Sequence, residues 1–373
     1  VTINTKVEWA DHTINWWWGC EKVSPGCKNC YAEGFAKRVG NNIWGKGEPR
    51  RDIKSAVAEA LKLNAKAEKE GVRYRVFSNS MSDFFEEDNG QAIVDHKGNR
   101  LCFQAADKNW QHILTDDIAR ESDGCIPVTL TDIREQAFET IDATPHLDWL
   151  LLTKRPENIL RMTPQWDYHA CNTGDCPHSH SANCVPVDER KYRQNVWLGT
   201  SVESQEQADK RIPELLKCRD LSPVLWLSCE PLLGAVDLGK PHSIATNGEF
   251  DDTEYDGPSI DWVICGGESG HGARPMHPDW ARELQAQCEG SDVPFFFKQW
   301  GEWWPQSIGC GIEYDSTRPV LWTCRCGHSV YPITDDSSCA CGEDLNIERM
   351  IKVGKKEAGR LLNGKEHSEV PDE

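Results

Sequence analysis

Three cysteines carry the clearest chemical signal in this chain. Cys20, Cys27 and Cys30 stand in the spacing CxxxxxxCxxC, directly after an apolar run and directly before a helical one. Three thiolates in one loop can hold three irons of a 4Fe–4S cluster and leave the fourth iron open, because full ligation normally takes four cysteines. A substrate or cofactor can bind at the open iron. Pro25 and Gly26 allow the tight turn that brings Cys27 round. The spacing also admits zinc, with His12 as the nearest candidate for the fourth ligand that structural zinc requires.

Seventeen cysteines are many for a chain read as cytosolic. Disulfides are disfavoured there, so clustered cysteines are better read as metal ligands. Cys324, Cys326, Cys339 and Cys341 form two Cys-x-Cys knuckles, each followed by a glycine, Gly327 or Gly342. Four thiolates so arranged predict a zinc ribbon, with a second iron–sulfur cluster as the alternative. Cys171, Cys176 and Cys184 lie among His169, His178 and His180. Cys171, Cys176, His178 and Cys184 make a second zinc ligand set, against the alternative of a loop with unpaired thiols. The cysteines outside these groups read as small buried hydrophobes.

The elements that must position the first group are apolar runs alternating with amphipathic stretches. Strands are expected at Ile14–Gly19, Tyr74–Ser78, Trp149–Thr153, Val196–Ser201, Val224–Ser228, Trp262–Gly266 and Pro294–Lys298. Helices are expected at Tyr31–Val39, Ile53–Lys69, Ile133–Asp142, Gln205–Leu216 and Pro278–Cys288. The alternation predicts an α/β fold with a complete or partial parallel (β/α) barrel, an open doubly wound sheet being the alternative. Nearly every strand ends in polar or charged residues, which is where a parallel barrel keeps its active site. The barrel is assigned to 1–305, with inserts at 86–125, 165–193 (the second zinc set) and 240–258. A zinc-ribbon insert occupies 306–346, and 347–373 is a C-terminal helix and tail returning to the barrel.

A three-cysteine loop after the first strand of a parallel barrel resembles the radical S-adenosylmethionine superfamily. The usual spacing there is CxxxCxxC, with an aromatic residue before the last cysteine; here the first gap is wider and Asn29 precedes Cys30. The chain is closer to a phage-associated family carrying CxxxxxxCxxC. The resemblance runs through Val23–Glu33, Ser80–Asp83, Leu152–Pro156, Leu198–Glu203, Glu230–Leu233, Gly266–Gly270, Val293–Gly301 and Val353–Arg360. It implies a radical-SAM-type barrel whose cluster, on Cys20, Cys27 and Cys30, reductively cleaves S-adenosylmethionine to methionine and a 5′-deoxyadenosyl radical. Ser78, Asn79 and Ser80 would then hold the methionine end, and Ser201 and Glu203 the ribose hydroxyls. Gly266 and Gly267 would let the backbone approach the ligand closely. Lys154, Arg155, Glu230, Glu268 and Lys298 are left to handle substrate, or else to close the barrel mouth as ion pairs.

Composition narrows the partners. The net charge of −19 argues against a non-specific nucleic-acid coat and leaves only a local basic patch to meet phosphate. Lys154, Arg155, Arg274 and Lys298 are candidates for that contact. Trp300, Trp303 and Trp304 follow the last strand as a stacking platform for adenine or a nucleobase. Trp17 is expected in the core, with Trp16 and Trp18 on the opposite face. No apolar run approaches a membrane span, and no basic-then-apolar leader is visible at the start. The expected setting is the cytoplasm, that of the host if the chain is phage-encoded. The leading reading is a radical enzyme that modifies or rearranges a nucleobase or nucleotide, such as an amino-acid-substituted thymine in phage DNA, served by a reductant protein. A radical enzyme on a peptide or small metabolite, and a non-catalytic zinc protein binding nucleic acid, are the other two.

Overall fold

The computed structural model describes residues 2–3, 5, 7–104, 108–110, 113–115, 125–163, 193–239, 259–308, 319–324, 329–330 and 347–371. Seven parallel strands form its frame: β1 (His12–Ile14), β2 (Tyr74–Ser78), β3 (Leu147–Thr153), β4 (Val196–Ser201), β5 (Val224–Cys229), β6 (Trp262–Gly266) and β7 (Phe295–Gln299). They pair in chain order, β1 to β7, and Thr2–Ile3 adds an antiparallel edge beside β1. A doubly wound sheet reverses its order part-way. Unbroken sequential order instead curls the sheet one way, and the result is a half-barrel. Among the described residues β1 and β7 do not pair with each other, so the curl stays open.

Helices α1 (Tyr31–Arg38), α2 (Ala56–Glu70), α3 (Leu130–Asp142), α4 (Gln205–Leu216) and α5 (Pro278–Gly290) fill connections between strands. Their start and stop signals are ordinary chemistry. Thr129 and Asp132 make a reciprocal capping box at the start of α3. Gly71 ends α2 in the left-handed conformation. Helix residues such as Ala60, Ile133, Ile212 and Leu284 pack on Trp149, Leu198, Leu227 and Phe297 from the convex side of the sheet.

The concave side carries the alternate residues of the same strands. Phe77, Leu150, Trp197, Trp226, Trp262, Ile264 and Phe296 cluster there with Trp9. Ring centroids in this group lie 4.7 Å (Trp9–Phe77), 5.3 Å (Trp9–Trp226) and 5.8 Å (Trp226–Trp262) apart, an aromatic floor across the barrel. Gly199 on β4 makes room for it, since a Cβ there would lie 2.3 Å from the Trp226 ring.

Three expectations need correcting. The first strand ends at Ile14, not Gly19. There the Asn15 carboxamide oxygen accepts from the Met81 amide, and Trp17–Trp18 turns away to pair with Arg50–Asp52. Trp16 and Trp17 are therefore both buried in the main core, free of strand alternation. Two of the scattered cysteines, Cys102 and Cys125, form a disulfide. Cys218, Cys229, Cys265 and Cys288 are the buried small residues expected.

After β7, Trp303–Pro305, Val320–Cys324, Ser329–Val330 and Ile347–Lys352 make a four-stranded antiparallel sheet. The tail then runs along β7. Phe297 N–H donates to the His367 carbonyl and Trp262 Nε1 to that of Glu369.

Candidate functional site

Cys20, Cys27 and Cys30 lie, each partly buried, on the loop that leads into α1, with Cys30 at the helix N-cap. The loop is held from several strand ends at once. From β4, Glu203 accepts the Gly26 N–H at 3.1 Å. From β6, Glu268 accepts from Asn29 Nδ2 at 2.9 Å, and Arg274, its ion-pair partner, donates to the Pro25 carbonyl at 3.1 Å. From β3, Arg155 donates to the Glu21 carbonyl at 2.9 Å, while Glu86 accepts the Glu21 N–H at 3.0 Å. The Tyr31 hydroxyl donates to the Ser80 carbonyl after β2.

Buried ion pairs back these contacts. Glu203 and Arg211, 1% and 2% exposed, meet at 2.8 Å. Burial opposes the Glu203 charge, but Arg211 beside it and Lys154 nearby hold its carboxyl below the ordinary value. Glu268 behaves alike: burial opposes ionisation, and the hydrogen bonds from Arg274 and Asn29 outweigh it. Asp83 is held low against burial by Arg155, Thr153 and the Lys154 N–H. Arg50, fully buried, forks onto Glu86 with bonds of 2.8 and 2.7 Å. Groups this deep are costly unless paired, and every one is paired.

The strand-end residues thus divide by role. Glu203 reaches Arg211 and the cysteine loop, where a ribose contact was expected. Its close fit explains Gly26, whose Cβ would stand 3.0 Å from the carboxylate. Arg155 and Glu268 are tied to Asp83 and Arg274 and brace the loop. Arg274, expected on phosphate, is spent on Glu268. Ser78 is fully buried and accepts from Trp16 Nε1 at 3.1 Å. Gly267 is needed because a Cβ would fall 2.0 Å from the Trp300 carbonyl; the close approach there is to protein backbone. Trp300 and Trp303 are buried, their indoles donating to Leu361 and Ala273 carbonyls, so neither offers a stacking face.

What remains on the concave side above the aromatic floor is a polar ring. Lys154 Nζ meets Ser201 Oγ at 2.9 Å. Lys298 Nζ meets both Glu230 oxygens, at 2.8 and 3.0 Å, and Gly266 opens toward that pair. Ser80 shares hydrogen bonds with Asn15. Asn79 sits in the left-handed region (φ 60°), its Oδ1 accepting from Trp16 N–H. That bond fixes the amide's orientation and leaves Nδ2 buried without a hydrogen-bond partner. A buried donor without an acceptor is costly, so it points to a missing acceptor.

The donor set can be tested against the expected metal. His12 is buried at the start of the strands, edge-on to Tyr74 at 4.8 Å, away from the cysteine loop at their far ends. It does not complete a zinc site. Among the described residues no three His, Cys, Asp or Glu side chains converge on one ion. A cubane spreads its thiolates over three irons and accepts a wider spacing. Burial pushes the Cys20 thiol up, with Glu86 and Asp83 adding to it and Arg155 opposing. Cys30 is raised by burial against the Ala32 and Glu33 amides and Lys154. Cys20 beside Arg155, and Cys30 beside Lys154 and the Ala32 and Glu33 amides, suit metal that displaces a thiol proton.

Sequence reasoning missed Arg50, Glu86, Asn29 and Arg211. Glu86 lay at the edge of a segment read as an insert, though it braces the cysteine loop. Cys324 ends the strand Val320–Cys324, buried opposite Ile347. Cys326, Cys339 and Cys341, and all of Cys171, Cys176, His178 and Cys184, lie outside the described residues.

A family model matches residues 4–125 and 118–371, nearly the full length. The chain belongs to the DUF5131 family. That family is described as one of proteins of unknown function. No curated protein matches the chain, and no solved structure does. For this DUF5131 chain the geometry of the cysteine loop therefore carries the functional argument. Among the described residues no helix is long and apolar enough to cross a membrane.

Proposed function

We propose that this DUF5131 protein is a radical S-adenosylmethionine enzyme whose Cys20, Cys27 and Cys30 hold a 4Fe–4S cluster. The observation that carries the reading is the bracing of one three-cysteine loop by Glu203, Glu268, Arg274 and Arg155 from three different strands. Such bracing preorganises thiolates for a cluster with an open iron. Bound there, the cluster would supply the electron that cleaves S-adenosylmethionine and releases the 5′-deoxyadenosyl radical.

The chain's own residues do the rest. The unpartnered Asn79 amide, with Ser80 beside it, meets the carboxylate end of the cofactor. Ser201 and the open face at Gly266 line its path across the ring. Lys154, whose ammonium meets the Ser201 hydroxyl and, among the described residues, makes no ion pair with a carboxylate, is a cation available to an anionic substrate. Lys298 and Glu230, already a pair, exchange or hold a proton at the substrate. The substrate class we propose is a nucleobase or nucleotide, such as an amino-acid-substituted thymine in phage DNA. Structural zinc on Cys324, Cys326, Cys339 and Cys341, and on Cys171, Cys176, His178 and Cys184, is part of the same proposal.

Anaerobic protein reconstituted with iron and sulfide, then given S-adenosylmethionine and dithionite, should release 5′-deoxyadenosine. Incubation with modified DNA and mass spectrometry of its nucleosides then reads the substrate. A protein that binds iron but never cleaves S-adenosylmethionine would overturn the assignment.

A further inference from the structure

The ends of β5 and β7 meet across β6. Lys298 Nζ, near the end of β7, lies 2.8 and 3.0 Å from the two carboxylate oxygens of Glu230, just after β5. The two can meet because Gly266 stands between them on β6: a Cβ there would be 3.4 Å from both Glu230 Cδ and Lys298 Cβ. Their side chains are 18% and 14% exposed, so the pair is neither sealed in the core nor out in solvent. Gln299 Nε2 donates to Glu230 Oε1 at 3.3 Å. A flipped amide would turn its oxygen onto the carboxylate, so this bond fixes the orientation. Gln299 is 3% exposed, and its Oε1 is left buried with no hydrogen-bond partner.

The unused bonding capacity of this group defines a ligand. Gln299 Oε1 lacks a donor, and the Glu230 carboxylate, with its bonds from Lys298 and Gln299, keeps room for about one more. An ammonium supplies N–H groups to both. An ammonium also has a third N–H, so Lys298 keeps one donor for an anion after bonding both Glu230 oxygens.

We propose that Glu230, Lys298 and Gln299 form a subsite for a zwitterionic amino-acid group of the substrate, a proposal that rests on the substrate class given above. The group lies antiparallel to the ion pair, its ammonium on Glu230 and Gln299 and its carboxylate on Lys298. Charges then alternate and no net charge is added to a half-buried site. An ammonium alone would bring a second cation beside Lys298, and a carboxylate alone a second anion beside Glu230. A site built to hydrogen-bond its ligand rejects analogues that leave buried polar groups unpaired. The methionine end of S-adenosylmethionine has the same chemistry, so both sources are titrated.

Calorimetry on the anaerobic full-length protein, after reconstitution with iron and sulfide, reads the binding. The probes are free serine, thymidine, thymidine carrying serine through its hydroxyl on the 5-methyl group, and the N-acetyl and carboxamide forms of that arm. The serine form should bind at least tenfold more tightly than thymidine or either blocked form. Glu230→Gln/Lys298→Gln removes both charges and strands neither, and should erase that preference. Gln299→Met, which keeps both charges, should weaken the serine form in the same direction. A cooperative thermal transition shows that each variant is folded. Equal binding of the four nucleosides, or a preference that survives in both variants, would overturn the subsite. So would variants that lose S-adenosylmethionine binding and keep the nucleoside preference, since the pair would then hold the cofactor. Binding of free serine that needs Glu230 and Lys298, with no nucleoside bound, would uphold the subsite and remove the nucleobase. A protein that takes up no cluster but prefers the serine form would uphold the subsite and refute the enzyme class.

Discussion

Removing the Glu203 carboxylate strands the Arg211 guanidinium in a site 2% exposed. Breaking a buried pair this way costs about 3–5 kcal/mol. Glu203→Ala should therefore lower the thermal midpoint sharply and impair iron loading, because the Gly26 amide loses its acceptor. Calorimetry and iron analysis read both; unchanged stability with weaker S-adenosylmethionine binding would return Glu203 to the ribose. The carboxyls of Asp83, Glu203 and Glu268 are all held below their ordinary values. Groups depressed in the fold contribute stability that is fully present above their unfolded pKa and lost as pH falls through the folded one. The metal-free protein should thus hold its thermal midpoint down to about pH 4.5, the ordinary glutamate value, and lose it below. A midpoint flat to pH 3 would contradict those pairings. The three cysteines stand out in the sequence by their spacing together with the family resemblance. Their braces do not, because nothing local in a sequence says which of many Glu and Arg residues will meet across strands.

Elements explain which glycines can change. A Cβ on Gly267 would fall on a backbone carbonyl, which cannot move aside. Gly267→Ala should leave little soluble folded protein. Gly34, inside α1, has nothing within 4 Å, so Gly34→Ala should stabilise by about 0.5–1 kcal/mol. Parallel denaturant titrations check both, and a tolerated Gly267→Ala would refute the β6–β7 approach. In the floor, Trp262→Ala should cost about 3–5 kcal/mol, read in the same titrations. Six of the seven strands were legible because continuous apolar runs are what a sheet covered on both faces requires. The first was misplaced because Trp16–Trp18 reads as strand locally while Asn15 and Asn79 fix a departure that only the fold reveals. Alternation was the unused signal. Residues 79, 154, 201, 230, 266 and 298 continue the concave parity of Phe77, Leu150, Trp197, Trp226, Ile264 and Phe296. Ser78 continues the convex one and meets Trp16.

Across the whole molecule, a seven-stranded half-barrel stacks an aromatic floor, a polar ring and a braced cysteine loop in one direction. Sequential strand order is what allows this, since every strand end then faces the same mouth. The central claim is that Cys20, Cys27 and Cys30 together hold an iron–sulfur cluster. Iron and sulfide content with electron paramagnetic resonance of the dithionite-reduced protein, in wild type and in the triple Cys20/Cys27/Cys30→Ala variant, tests it most directly. Close to four irons and four sulfides per chain in the wild type, lost in the variant while any zinc stays, is the predicted result for a 4Fe–4S site. A variant that keeps its iron and its reduced-state signal would contradict it.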